Sequence, residues 1–393
     1  MIDFLPAWAS QKGARFHPSA CKSVVTTVGA GRAGDSVWLT APREEPVLLS
    51  HSVAHKWLGW IWCEDGGAQA TLDARCNAAA AVFASLVGLV GGGALPLSLC
   101  LPMFESKVDG VLAHGRWLYI LADGAAARLN SLQDKWARAL LGAEPWRSGC
   151  SARWELGWAL TGEARAVLDV ARRRAKLWLL APGDFHRDMF LRALSAQGPS
   201  WACQSLRLLA AWGISDIVAG SSFPCRRAYL TYVLDALRSQ CVLTSVVKRS
   251  LCRQAPFRHG QVCPAPSSLH RTLLRTPSTW ACCRGIRSWC RARAGLIVIT
   301  HRGGRRSQAR VQTCIGCSQD TTSAYTHALL SCPAWLAERA VFSAALGRPF
   351  RPDLPALLLL LNLQPGERAF AAAVALVEAV DRSASAFWRA GRQ

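Results

Sequence analysis

Four potential metal ligands in the last quarter of the chain restrict its fold more than any other feature. They are Cys314, Cys317, His327 and Cys332. Two cysteines separated by two residues can reach one ion from a tight turn, and Gly316 supplies the freedom of φ that such a turn needs. Pro333 disfavours helical dihedral angles at Cys332, so we expect this cysteine to turn away from a helix end towards the ion.

The composition of this ligand set predicts one structural Zn²⁺. Three thiolates and one neutral imidazole complete a tetrahedral shell and leave no open position for a substrate. A CxxC pair followed by a histidine and a cysteine at these distances is typical of a CCHC zinc knuckle. The alternative interpretation is a coincidence of spacing in a chain with 16 cysteines.

The positive charge of the chain is concentrated in one segment. The 393 residues have a formal net charge of +21. Residues 236–319 contain fifteen lysines and arginines and no acidic residue, so this segment carries +15 of the total. A block of one sign repels itself and favours a polyanionic partner. Nucleic acid is the first candidate and an anionic membrane surface is the second.

Two further segments bear on the cellular compartment of the protein and on whether it spans a membrane. Met1–Pro6 lacks the basic leader and apolar core of a signal peptide, which indicates a nuclear or cytoplasmic protein with reduced cysteines. Residues 77–104 are uncharged and long enough to span a bilayer. However, Gly91–Gly93, Pro96 and Pro102 divide them, and they predict a helix of about thirteen residues and a loop. We therefore expect a buried core helix.

Hydrophobic periodicity predicts a mainly α fold with a small N-terminal β piece. Short β-prone segments occupy residues 24–28, 37–40 and 47–49, and amphipathic helical patterns dominate from Ala68. Gly29–Gly34 matches GxGxxG, but a predicted strand follows it, which favours a hairpin loop over a dinucleotide site. The predicted organisation is a β-rich part (1–67), a helical part (68–250), a basic Pro/Arg-rich linker (251–310), the zinc knuckle (311–335) and C-terminal helices (336–393).

The sequence supplies no recognisable catalytic group. It contains no GxSxG elbow and no Walker loop. Two-metal polymerases and nucleases need converging carboxylates, whereas Asp123 stands alone and Glu64–Asp65 precede two glycines in a predicted solvated turn. We therefore predict no catalytic residues.

A nucleic-acid-binding surface is predicted from the basic block. Its first part is a cluster just before the knuckle: Arg302, Arg305, Arg306 and Arg310. Its second part surrounds Trp280 and Trp289, which are placed to stack on an unpaired base: Arg284, Arg287, Arg291 and Arg293. The alternative interpretation is a solvated charged face.

The order of several motifs resembles that of a known family. These motifs are Phe16-His-Pro, Cys21-Lys-Ser, Lys56-Trp-Leu-Gly59, Leu129…Leu132-Gln133…Ala139-Leu-Leu-Gly142, and an Arg/Gly stretch leading into the CCHC pattern. Together they resemble the C-terminal part of non-LTR (LINE-type) retrotransposon reverse transcriptases. The resemblance implies that residues 1–67 are the end of the palm with Lys56 near the primer grip, although Trp57 replaces the family's tyrosine. It also implies a helical thumb.

The resemblance implies a binding function without catalysis. The family's catalytic palm, with its paired aspartates, would precede Phe16, where the sequence has only fifteen residues. We therefore expect a non-catalytic fragment that holds RNA or DNA, with other retroelement proteins as further partners. Two alternatives remain: an accessory thumb and knuckle for a polymerase core on another chain, and a helical interaction or membrane-surface protein.

Overall fold

The computed structural model describes most of the chain between residues 24 and 390. The described residues are 24–25, 37–39, 47–51, 54–57, 60–63, 68–91, 97–145, 147–196, 198, 200–217, 223–250, 284–294, 297, 312–321, 324–351, 353–363 and 367–390. The predicted loop at Gly29–Gly34 lies outside these residues, as does Trp280. The predicted mainly α class is confirmed.

Five short strands occupy the N-terminal part, close to the predicted β segments. They are β1 (Val24–Val25), β2 (Val37–Leu39), β3 (Val47–His51), β4 (Ala54–Trp57) and β5 (Trp60–Cys63). β3 is central, with β1 parallel and β2 antiparallel to it, and β4 and β5 form a hairpin. The hairpin is tied to the first helix because the Ile61 amide donates to Thr71 Oγ1 over 3.0 Å and this hydroxyl donates to the Ile61 carbonyl over 3.3 Å.

Helices form the rest of the structure, apart from a small strand pair at the candidate metal site. The helices before residue 251 are α1 (Gln69–Gly91), α2 (Leu97–Met103), α3 (Asp109–Ala113), α4 (Arg116–Tyr119), α5 (Ala125–Leu141), α6 (Gly149–Glu155), α7 (Gly162–Trp178), α8 (Phe185–Ser195), α9 (Trp201–Ala211) and α10 (Arg226–Ser250). The later ones are α11 (Arg284–Arg293), α12 (Ala324–Leu330), α13 (Leu336–Leu346), α14 (Leu354–Asn362) and α15 (Phe370–Ala390).

The uncharged segment folds differently from our prediction. α1 is longer than expected, and it buries one stripe that includes Leu72, Cys76 and Phe83. By length and composition it is the one helix among the described residues that qualifies as a membrane span, a property that core helices of soluble proteins share. Only 28% of its most apolar stretch is buried, so it is a partly exposed wall of the core. The predicted loop after it contains α2 and a π-helical turn at Phe104–Val108.

Several tryptophans of the helical part pack in or against the core. Trp136 and Trp158 are almost fully buried. Phe104 lies between them, with its ring stacked 4.2 Å from that of Trp158 and edge-on at 5.7 Å from that of Trp136. Aromatic pairs of this kind stabilise a core beyond the area that they bury. Polar N-caps begin the flanking helices; for example, Thr161 accepts a hydrogen bond from the Ala164 amide at the start of α7.

Helix α11 lies within the predicted linker and is a core element. It packs against α15 and also contacts α5, α6 and α14, so it joins the helical part to the C-terminal helices. Its apolar side chains Ile286, Trp289 and Cys290 are at most 1% exposed. The linker prediction was wrong here, because the basic composition of 251–310 concealed a short amphipathic helix.

Candidate functional site

The four predicted metal ligands converge. Their ligand atoms, Sγ of Cys314, Cys317 and Cys332 and a ring nitrogen of His327, all lie within 4.8 Å of one another. Cys314 Sγ is 3.7 Å from Cys332 Sγ, and Cys317 Sγ is 3.2 Å from His327 Nε2. The cluster can therefore hold a single metal ion, as the spacing predicted.

Backbone hydrogen bonds fix the turn that carries the first two cysteines. Strands β6 (Gln312–Thr313) and β7 (Asp320–Thr321) pair antiparallel on either side of it. The Cys314 amide donates to the Gln319 carbonyl over 2.9 Å, and the Ser318 amide donates to the Cys314 carbonyl over 2.8 Å. The Gly316 amide donates to Cys314 Sγ over 3.4 Å.

Gly316 is required by close packing and not by its φ angle, which corrects our prediction. The residue in this turn with a positive φ is Ser318, at 60°. At Gly316 a Cβ atom would overlap the indole ring of Trp335. Trp335 is 3% exposed and packs directly on the turn. The glycine thus allows a buried tryptophan to seal the site.

The other two ligands come from the end of α12. His327 lies in its last turn, and Cys332 follows it in an extended conformation with φ −60° and ψ 126°. This confirms that Cys332 leaves the helix before Pro333. The Cys332 amide donates to the His327 carbonyl over 2.7 Å, which closes the helix end. Ser331 Oγ lies 3.4 Å from His327 Nδ1, where it can accept a hydrogen bond from Nδ1–H, a tautomer that leaves the Nε2 lone pair for a metal.

Burial shifts both of these ligands towards their neutral forms. The pKa of the Cys332 thiol is raised to about 12, mainly by burial and in smaller part by the neighbouring thiols of Cys317 and Cys314. Burial also lowers the pKa of His327, an effect to which the nearby Arg339 adds. A neutral imidazole is the form that binds a metal, and a cation at the site would favour the thiolate form of Cys332.

Two residues that support the site were not predicted. Trp335 covers Gly316, as described above. Arg339, one helical turn further on, is 7% exposed and donates from Nη2 to the Cys332 carbonyl over 2.5 Å. Its only sequence signal is its position seven residues after the last ligand, because nothing in its type separates it from the many surface arginines.

The predicted nucleic-acid contacts fall into three groups in the structure. The cluster nearest the knuckle lies outside the described residues: Arg302, Arg305, Arg306 and Arg310. Two further residues have a described backbone only. Lys56 lies in β4 opposite Ile61 of β5, and Arg284 is the first residue of α11. The third group, Arg287, Arg291 and Arg293, lies on α11 with described side chains.

Arg287 and Arg291 bind the end of helix α5. Arg287 Nε donates to the Leu140 carbonyl over 3.1 Å, and Arg291 Nη1 donates to the Gly142 carbonyl over 2.8 Å. Cations at a helix C-terminus are stabilised by its unpaired carbonyls. Arg291 also forms an ion pair with Asp381 of α15. Both arginines thus join structural elements while their side chains remain partly exposed.

Arg293 and Trp289 lie in the interior, which corrects their predicted place on a binding surface. Arg293 is 2% exposed, and its Nε is 2.8 Å from Glu155 Oε1. It also donates from Nη1 to the Leu361 carbonyl over 2.8 Å. Its guanidinium lies 4.6 Å from the centre of the Trp289 ring. Neither side chain reaches a ligand in solvent.

The comparisons with known proteins add no family. No protein-family model matches the chain, and no curated protein or solved structure matches it either.

Proposed function

We propose that this chain is a non-catalytic nucleic-acid-binding protein organised around one structural Zn²⁺, and that it corresponds to the C-terminal part of a non-LTR retrotransposon reverse transcriptase. The observation that carries the proposal is the convergence of Cys314, Cys317, His327 and Cys332 at the end of the acid-free basic block. The family assignment rests on the order of the sequence motifs.

The ligand distances support zinc. Two sulfurs that each lie about 2.3 Å from the centre of a tetrahedron are about 3.8 Å apart. The Cys314–Cys332 separation of 3.7 Å agrees with this value. A set of three soft thiolates and one imidazole selects Zn²⁺ over hard cations such as Mg²⁺ or Ca²⁺. The closed shell makes the ion structural, so its contribution is to the folding of residues 312–335.

The metal site supports nucleic-acid binding by its position in the chain. Arg310 lies two residues before β6, and β6 continues directly into Cys314. A fixed strand at this point lowers the conformational entropy that the preceding arginines lose when they bind phosphates. We therefore assign the arginines of residues 302–310 a larger share of the affinity than equally charged residues elsewhere.

In this proposal the helices before residue 251 correspond to the family's thumb. This part has a continuous core and ends in the long helix α10. In the family, such helices hold the template and primer. In this proposal Lys56, which lies in the β4–β5 hairpin, corresponds to the lysine near the family's primer grip.

The proposal predicts a strong salt dependence that originates in the arginine cluster. We expect the variant Arg302→Ala/Arg305→Ala/Arg306→Ala/Arg310→Ala to bind single-stranded RNA more weakly, whatever its sequence. The slope of log K against log salt should flatten by up to about three units, since each phosphate contact contributes about 0.7. Filter binding at several salt concentrations measures both quantities.

A matched control removes the same charge from the helical part. The exposed residues Arg192, Arg207, Arg226 and Arg227 are replaced by alanine. This control should retain more of the slope than the cluster variant, because its arginines do not adjoin the metal-fixed strand. If the parent and the cluster variant had equal slopes, the binding site would lie elsewhere and the arginines of residues 302–310 would belong to a solvated face.

A further inference from the structure

A cavity of about 440 Å³ lies at the end of α13 that is remote from the metal site. Its apolar wall includes Leu346, Phe350 and Leu359, and its charged rim is formed by Arg348, Arg351 and Asp353. α13 begins directly after Trp335 and leads from the metal site to the cavity, and its eleven residues make a helix about 16 Å long. The volume is within the range of small-molecule sites.

The loop that forms the cavity is held in place by one serine. Ser343 Oγ donates to the Arg348 carbonyl over 2.9 Å and accepts from the Phe350 amide over 3.1 Å. Gly347 permits the reversal after α13 with a φ of 70°. The Phe350 ring contacts the buried Phe342 ring edge-to-face, with centroids 5.0 Å apart. The aromatic wall is therefore preorganised and is only partly buried.

The arginines at this cavity differ from those of the other large polar cavity. In that cavity, of about 270 Å³, Arg291 and Arg382 are already paired with Asp381 and Glu378. By contrast, Arg348 and Arg351 are exposed, and neither forms an ion pair with any carboxylate in the part of the chain that the structure describes. Asp353 offsets one of their two charges, so the rim retains a net positive charge.

We infer that this cavity binds one unpaired nucleotide of a single-stranded nucleic acid. Two arginine forks suit the oxygens of a phosphate, and a partly exposed phenylalanine beside apolar side chains suits the face of a base. A paired base has both faces covered by its neighbours in the duplex, so the cavity favours a single strand. This inference rests on the proposed function and adds a contact that the cluster at 302–310 does not supply.

The test separates base stacking from charge. The probe is a single-stranded RNA of roughly 15 nucleotides, with a duplex of the same length for comparison. We expect Phe350→Leu to lower the affinity for the single strand by about 5- to 100-fold at an unchanged salt slope, and to leave duplex binding unaltered. Phe350→Tyr should keep the affinity of the parent. Arg348→Gln/Arg351→Gln should flatten the slope by about 1.4.

The control is Arg192→Gln/Arg207→Gln, which removes two exposed charges from α8 and α9. If the parent binds and the cavity variants behave like this control, the inference is overturned and the proposed function stands. If the parent binds neither probe, the proposed function fails and the inference fails with it. If circular dichroism shows that Phe350→Leu is unfolded, the affinity of Phe350→Tyr and the salt slope of Arg348→Gln/Arg351→Gln test the inference instead.

Discussion

The purified protein is expected to contain about one equivalent of zinc per chain and to lose it when Cys314 and Cys317 are replaced by serine. The two sulfurs form half of the ligand set, and the remaining Cys332 and His327 cannot hold Zn²⁺ in a closed shell. Structural zinc contributes on the order of 10 kcal/mol to the folding of small domains. We therefore expect residues 312–335 to unfold in this variant, with new protease cleavage near the knuckle.

Metal analysis and limited proteolysis measure the two effects. A suitable control is Cys203→Ser/Cys225→Ser, because Cys203 Sγ donates to the Ala193 carbonyl, as a serine hydroxyl can, and Cys225 is exposed. The control should retain its zinc and its protease resistance. An unchanged zinc content in the Cys314/Cys317 variant would show that the metal is bound elsewhere.

Glu155→Gln is expected to destabilise the protein by about 3–5 kcal/mol. Glu155 and Arg293 are both at most 2% exposed and form an ion pair of 2.8 Å between α6 and α11. The neutral glutamine amide cannot compensate the buried charge of the Arg293 guanidinium. Removal of one partner from a buried ion pair therefore lowers the free energy of unfolding strongly. Because α11 joins the helical part to the C-terminal helices, the loss should affect the unfolding of both. The urea midpoint measures the change.

Two further variants identify the cause. The double variant Glu155→Met/Arg293→Met removes both charges, and we expect it to be less destabilised than the sum of the two single variants. Glu378→Gln breaks the exposed pair with Arg382 and should cost less than about 1 kcal/mol. A loss for Glu155→Gln as small as that for Glu378→Gln would contradict the assigned role of the buried pair.

The metal ligands could be predicted because they are determined locally. All four lie within 19 residues, and both the CxxC spacing and the proline after Cys332 act on the backbone next to them. The structure accordingly brings together the predicted set. The packing of Trp335 on Gly316 could not be predicted from the sequence. A CxxC turn can require a glycine either for a positive φ or for close packing, and only the tertiary structure shows which of the two applies.

The arginines of α11 could not be assigned from the sequence. Arg293 is separated from Glu155 by 138 residues, and Arg287 is separated from Leu140 by 147. A basic helix without acidic residues predicts a polyanionic partner outside the chain. Here, carboxylates and helix-end carbonyls from distant elements of the same chain provide part of the negative charge that faces the arginines. The excess of arginine in the block is therefore partly structural.

Pro102 shows a second limit of the sequence signals. We placed it in a loop that follows a helix of about thirteen residues, yet α2 includes it and the chain continues into a π-helical turn at Phe104–Val108. Proline cannot donate a backbone hydrogen bond. Here the helical path continues with a changed hydrogen-bond pattern, which local propensity does not reveal.

The most direct test of the account is the salt dependence of single-stranded RNA binding by the zinc-loaded chain and by Cys317→Ser. The account predicts a steep salt slope for the parent, and a weaker affinity with a nearly unchanged slope for the variant, because loss of a ligand loosens the knuckle but removes no positive charge. Equal affinities for the two proteins, or parent binding that does not depend on salt, would contradict the claim that a metal-fixed knuckle supports an electrostatic nucleic-acid interface.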